Sequence, residues 1–397
     1  MTTWLIRCFA LLLLMLPFVP AVADDPGDKE IERLVKQLGS DDFEERQAAT
    51  KRLTEIGEPA LDALVRALKS NDLEARRRAE AIIALVDTRL YGPELSLIAD
   101  DLWVWSVSIS VDGKHLLTSG NSATLRLWDT YTGELLCDFV GHKGPILGAV
   151  LSPDGKRVLS GGRDGTVRLW DAVSGKELQK MVCPNDREVL CVAFGPPGQV
   201  LSGDTEGKLR RWDLGTGKDT VVFAGQGWAR ADQAWVRVVA YSDKAKLAAT
   251  CDTHTVPFGM HGPIHLWNLE TGKEVHRFAD DTKDIYSMRF SPDGKQLLAA
   301  FTDGALYFWD VETGKERKRI ADANALDAAL SPDGKRMASS GYYHRSIRFS
   351  DAQTGKLVRH DEDRTDRPVL SVMFFPDGKR IATAGHKGIV RICRVPR

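Results

Sequence analysis

The sequence is short of the signatures that mark chemistry. Nowhere in its 397 residues is there an H-E-x-x-H, a G-x-S-x-G, a G-x-x-x-x-G-K-[ST] or a C-x-x-C-H. Their absence removes the zinc-protease, nucleophile-elbow, P-loop and haem-attachment readings. No cofactor motif stands in their place. Excess charge is also missing. Lys and Arg number 54 against 55 Asp and Glu, a formal net charge of −1. A nucleic-acid partner is therefore not expected on electrostatic grounds. No apolar run reaches the ~18–20 residues that a membrane span needs. There is no N-x-S/T site, which is compatible with a bacterial source.

The longest apolar run, residues 8–19, follows Arg7 and precedes Ala21-Val22-Ala23 and the acidic Asp24-Asp25. A charged start, a short apolar stretch and an A-x-A site describe an export signal over residues 1–23. The mature chain then begins at Asp24, in a periplasmic or extracellular setting, with no stable membrane span after cleavage. Five cysteines remain: Cys137, Cys183, Cys191, Cys251 and Cys393. The number is odd and the spacing irregular, so buried thiols are expected. Cys183 and Cys191 flank one connection, and their pairing stays open.

What the sequence has in quantity is repetition. Trp128, Trp170, Trp212, Trp267 and Trp309 each precede Asp or Asn, at spacings of 42, 42, 55 and 42. Ser350 and Cys393 take the Trp slot in two further copies, at spacings of 41 and 43. A Pro-Asp-Gly-Lys type of turn precedes many copies, at residues 110–114, 152–156, 291–295, 331–335 and 375–379. A Thr-Gly-Lys type of turn follows them, at 132–134, 216–218, 271–273, 313–315 and 354–356. Between the turns, short segments alternate apolar and polar residues as antiparallel strands do. A period near ~42 with four strands per unit is a propeller blade.

The period and the Trp-Asp pairs resemble the WD-repeat family over roughly residues 93–397. The resemblance implies a mainly β fold: a seven-bladed propeller of four-stranded antiparallel blades. It also implies that an N-terminal strand supplies the outer strand of the last blade. Residues 94–98 alternate as a strand would, and the chain stops soon after Cys393. His142, Ser160, Asp164 and Trp170 match a hydrogen-bonded set that the family uses as scaffolding. Their implied role is structural, not a catalytic Ser-His-Asp. No other blade has the full set; blade five has Ala299 in the Ser slot and Asp281 in the His slot.

Before the propeller, residues 24–92 are helical. Ile31, Leu34, Val35 and Leu38 fall at helical spacing, and Ala49, Leu53 and Ile56 continue after a cap-like Ser40-Asp41. Pro59 opens a third helix, and Asn71 with Glu74 resembles a capping box before a fourth. The pattern looks like a small HEAT-like module with room for two repeats. The basic run Arg76-Arg77-Arg78 reads as a solvated helix face.

The functional expectation is a non-enzymatic scaffold for protein partners, with no catalytic, metal or cofactor residues. The alternatives are an envelope sensor for a small molecule or glycan at the propeller top and, behind it, a propeller-top hydrolase or lyase. The long spacing before Trp267 locates the candidate surface. Aligning Leu151, Phe194, Tyr241 and Phe290 places 6 extra residues before Tyr241 and 7 after it. Both insertions fall in loops of blade four at its top, the end that carries the connections between blades and the turns before each third strand. Trp103 and Trp235 stand at equivalent places in blades one and four. The expected partner surface is Trp103, Trp228, Arg230, Trp235, Phe258 and His261, because Trp and Arg on a rigid rim are common anchors. His254, His261 and His265 near Asp252 also raise a metal site, weighed against a plain polar loop.

Overall fold

The computed structural model describes residues 27–91, 93–100, 102–224, 234–256, 259–278, 285–321, 325–341, 346–362 and 368–395. Residues 1–23, expected from the sequence to be an export signal, lie outside them. The chain forms two compact units that meet between Leu90 and Tyr91.

The first unit has four helices: α1 Asp28–Gln37, α2 Phe43–Ile56, α3 Leu61–Ala67 and α4 Leu73–Tyr91. A short turn of 3-10 helix, Glu58–Ala60, follows Gly57. Aliphatic residues at helical spacing give each helix one buried stripe. Ile31, Leu38, Ala49, Leu53, Leu64, Ala79 and Ile82 share a single core. The caps sit one or two residues later than the sequence indicated. Asp42, not Asp41, accepts from Glu44 N at 2.8 Å. Asp72, not Asn71, accepts from Glu74 N at 2.9 Å and Ala75 N at 3.1 Å. Asp and Asn are equally competent caps, so neighbouring candidates cannot be told apart by type. Among the described residues no helix is long and apolar enough to cross a membrane.

In the second unit, seven antiparallel sheets form a ring of blades. The inner strands are Val104–Ile109, Ile146–Leu151, Val189–Phe194, Ala234–Ser242, Ile285–Phe290, Ala325–Leu330 and Val369–Phe374. Blade seven takes its outer strand from the other end of the unit: Pro93–Ile98 pairs antiparallel with Ile389–Arg394. Leu97 and Ala99 are buried there with Val390 and Ile392. The Ala99 N–H donates to the Gly388 carbonyl at 2.7 Å.

The recurring residues account for the recurring shape. In the first turn of blade two, Ser152 Oγ donates to Asp154 Oδ1 at 2.5 Å and accepts from Arg157 N at 2.9 Å. Gly155 takes the left-handed conformation, φ 69°, that closes the turn. The aspartate of each Trp-Asp pair holds the turn below it. Asp171 Oδ1 accepts from Ser174 N at 2.8 Å and Ser174 Oγ at 2.7 Å. The tryptophan works inward. Trp128, Trp170, Trp212 and Trp267 each donate their indole N–H to a second-strand hydroxyl, of Thr118, Ser160, Ser202 and Thr250, at 2.8–3.0 Å. Blade five has Ala299 at that slot, and Trp309 stacks on Tyr307 instead, with ring centroids 5.6 Å apart.

Cys183 and Cys191 are free thiols, both buried. They face different blade interfaces. Cys183 packs in the core between blades two and three, whereas Cys191 points to Val236 O of blade four at 3.4 Å. Burial pushes both thiols up to about 12.

Candidate functional site

Every inner strand carries the same irregularity near its start. The pairing with the second strand skips one residue between Val104 and Ser106, Ile146 and Gly148, Val189 and Cys191, and Val236 and Val238. The same skip falls between Ile285 and Ser287, Ala325 and Asp327, and Val369 and Ser371. A bulge leaves its extra residue out of the ladder and re-aims it. The extra residues are Trp105, Leu147, Leu190, Arg237, Tyr286, Leu326 and Leu370. All but Leu326 line the axial channel, whose volume is about 680 Å³. They form a collar at the top end of the channel, mainly apolar and interrupted by one arginine. The sequence offered a signal for it. An apolar residue followed by the collar residue recurs as Val-Trp, Ile-Leu, Val-Leu, Val-Arg, Ile-Tyr, Ala-Leu and Val-Leu.

Below the collar the channel wall is tied across three blades. Arg289 of blade five donates to Asp327 Oδ2 of blade six at 2.8 Å. The same oxygen accepts from Ser371 Oγ and Val372 N of blade seven, each at 3.0 Å. Asp327 is buried, so its charge is held by these donors.

Trp103 and Trp235 each stand two residues before a collar residue. They sit in blades one and four, three positions apart around the ring. The collar lies between them. Trp103 forms an isolated bridge with His386 of blade seven, and the two rings meet edge to face at 4.3 Å. Trp235 is half-buried in the blade-four ladder opposite Thr253. Trp228, Arg230 and Phe258 lie outside the described residues, as does the side chain of His261.

Blade four differs from the loop picture. Its second strand runs Leu247–Val256 and its inner strand Ala234–Ser242, against six residues in the other inner strands. A fifth strand, Gly259–His261, pairs with the extension, His254 opposite His261. The second insertion is thus largely ladder, a raised hairpin at the top of the blade. His265 does not join it. Its Nδ1 lies 2.9 Å from Glu274 Oε1 on the outer strand, and the side chain is buried. Among the described residues no three His, Cys, Asp or Glu side chains gather as a metal site.

The Ser-His-Asp set of blade two forms one closed chain. Trp170 Nε1 donates to Ser160 Oγ at 2.9 Å, and Ser160 Oγ lies 2.8 Å from His142 Nε2. His142 Nδ1 lies 2.9 Å from Asp164 Oδ1. Asp164 also accepts from Thr166 Oγ1 at 2.7 Å and Lys143 N at 3.0 Å. Ser160 is 0% exposed and His142 6%. A substrate cannot reach the hydroxyl, so the arrangement fixes strands rather than attacking a bond.

The set makes stability depend on pH. Burial holds His142 below its ordinary value, despite the attraction of Asp164. Protons then bind the unfolded chain first as pH falls through about 6.5, and stability drops. Burial acts to raise Asp164, but bonds from Thr166, Lys143 and His142 hold it well below the usual carboxylate range. Its contribution is present above about pH 4 and is lost below it. The thermal midpoint should therefore be level from pH 8 to 7 and decline below about pH 6.5. His142→Asn should remove the upper part of the decline. A wild-type midpoint that stays level to about pH 5 would contradict this assignment.

The WD domain, G-beta repeat family model matches residues 93–129, 133–171, 175–213, 272–310 and 353–393. The matches and the seven four-stranded blades together support the WD-repeat propeller family. Each match begins on or just before an outer strand and ends on the third strand of the next blade. That stagger is why Pro93–Ile98 closes blade seven. The unmatched stretches hold the extended blade four and the blade with Ser350 in the Trp slot. No curated protein matches the chain.

Proposed function

We propose that the chain is an exported, non-enzymatic scaffold that holds a protein partner on the top of its propeller. A WD-repeat propeller fits a protein-interaction role. The observation that carries the reading is the collar. Each blade gives up ladder regularity at the same place, six of the seven extra residues line the channel, and four of those six are Trp or Leu. Half-buried apolar side chains on a rigid ring suit an apolar anchor from a partner. The raised hairpin of blade four walls one side and Trp103 stands on the other. Trp228, Arg230, Phe258 and His261 belong to the proposed surface on sequence spacing. Export rests on the residue 1–23 pattern, and the helical unit is taken as HEAT-like from its sequence.

The test is affinity capture from the native envelope with the mature chain as bait. Trp105→Ala and Trp235→Ala should weaken capture by about 1–4 kcal/mol while the melting temperature changes little. Variants that lose stability but retain the captured proteins would move the binding face elsewhere. A sensor for a small molecule or glycan is the second reading. It draws on the channel volume, which lies within the range of small-ligand sites.

A further inference from the structure

The helical unit is built from two helix pairs that repeat at 30 residues. Ser40, Asp42 and Glu44 recur as Ser70, Asp72 and Glu74, and Val35, Leu38 and Leu53 as Val65, Leu68 and Ile83. Equivalent residues have unequal surroundings. Leu38 and Leu53 are fully buried in a core shared with Ala63, Leu64 and Ala67 of the second pair. Their counterparts are not. Leu68 is 38% exposed and Ile83 is only half-buried, while Val65 is 50% exposed where Val35 is half-buried. The polar links between the pairs follow the same logic. Arg66 reaches back to Glu32 at 3.1 Å and Arg46 reaches forward to Glu74 at 3.9 Å. The second pair therefore presents an unused stacking face at its far end, shaped by the same positions that receive a helix pair inside the unit.

We propose that this face binds the same face of a second copy of the chain, making a twofold dimer. A repeat face takes another repeat because each unit buries its apolar side on a neighbour. Head-to-tail stacking is disfavoured by the opposite end. There the counterparts of Ala63 and Ala67, which stack inside the unit, are Arg33, which is exposed, and Gln37. That end is charged, and stacking it on Val65 and Leu68 would bury charge against apolar surface. The far face instead complements itself. Asp62 and Val65 lie on α3 and Lys69 lies in the turn that follows it, and all three are exposed. An antiparallel copy of α3 with the turn that follows it would set Asp62 against Lys69 of the second copy, and would do so twice.

Sedimentation of the full chain over about 1–100 μM, at low salt, tests this; a modest interface should be half-formed within that range. The expected result is a monomer–dimer equilibrium that Val65→Glu weakens at least about tenfold. Asp62→Lys alone and Lys69→Asp alone should each weaken it, and the two together should restore it. Restoration separates an interface from a folding defect. A wild-type chain that stays monomeric throughout would overturn the proposal. So would a dimer that survives Val65→Glu, or a double variant no tighter than the singles.

Discussion

A chain that starts at residue 100 should melt well below one that starts at residue 91. Both lack helices α1–α4, so the difference isolates the closing strand Pro93–Ile98. Without it, the edge of Ile389–Arg394 loses its ladder partner. Buried Leu97 leaves the core it shares with Val390 and Ile392. Loss of one such side chain costs about 2–5 kcal/mol. The Arg126 guanidinium also loses the Ala99 carbonyl to which it donates, which links blade one to the closing strand. We expect the midpoint to fall by more than about 10 °C, with association through the freed edge. Equal midpoints would show that the ring does not depend on this closure.

Asp204→Ala should be the most damaging single substitution in blade three. Asp204 is 0% exposed and accepts from Arg210 Nε at 2.7 Å. Its other oxygen accepts from Glu206 N at 2.9 Å and Lys208 N at 3.0 Å. Arg210, itself buried, also donates to Asp219 Oδ2 of the outer strand at 2.6 Å. Removing the aspartate strips one counter-ion from a buried guanidinium and leaves two backbone N–H donors of a turn without their shared acceptor. Breaking a buried pair from one side costs about 3–5 kcal/mol. Asp204→Asn keeps the turn's acceptor and should lose less. Denaturant unfolding measures both. A fall of under about 1 kcal/mol for the alanine variant would mean that Asp219 and Glu206 suffice for Arg210.

Much of the ring was legible because its parts are local. Tryptophan binds a hydroxyl ten residues before it in three of the blades, at 118, 160 and 202. The following aspartate caps the next turn, and glycine closes it. Each requirement fixes residue type at a fixed spacing, so it leaves a mark in the sequence. Closure was legible from an alternating segment before the first repeat and an unfinished last one. The collar was not. A bulge shifts register by one residue without a demanded residue type, so Leu147, Arg237 and Tyr286 share a place while sharing no chemistry. Blade four was hidden for another reason. Pro257-Phe258-Gly259 interrupts a strand pattern, so the segment has the composition of a longer loop although Leu247–Val256 pairs with Gly259–His261. Trp103 and Trp235 were matched in register from spacing alone, but spacing carries no information about the residues ringed between them.

The central claim is that a partner sits on the collar end of the propeller. A photoreactive amino acid at position 235, beside the collar, can be compared with one at position 173. Val173 lies in a turn at the opposite end and is 87% exposed. After irradiation in the native envelope, the expected result is a discrete crosslinked protein from position 235 and none from position 173. Crosslinks from position 173 with none from position 235 would contradict the claim.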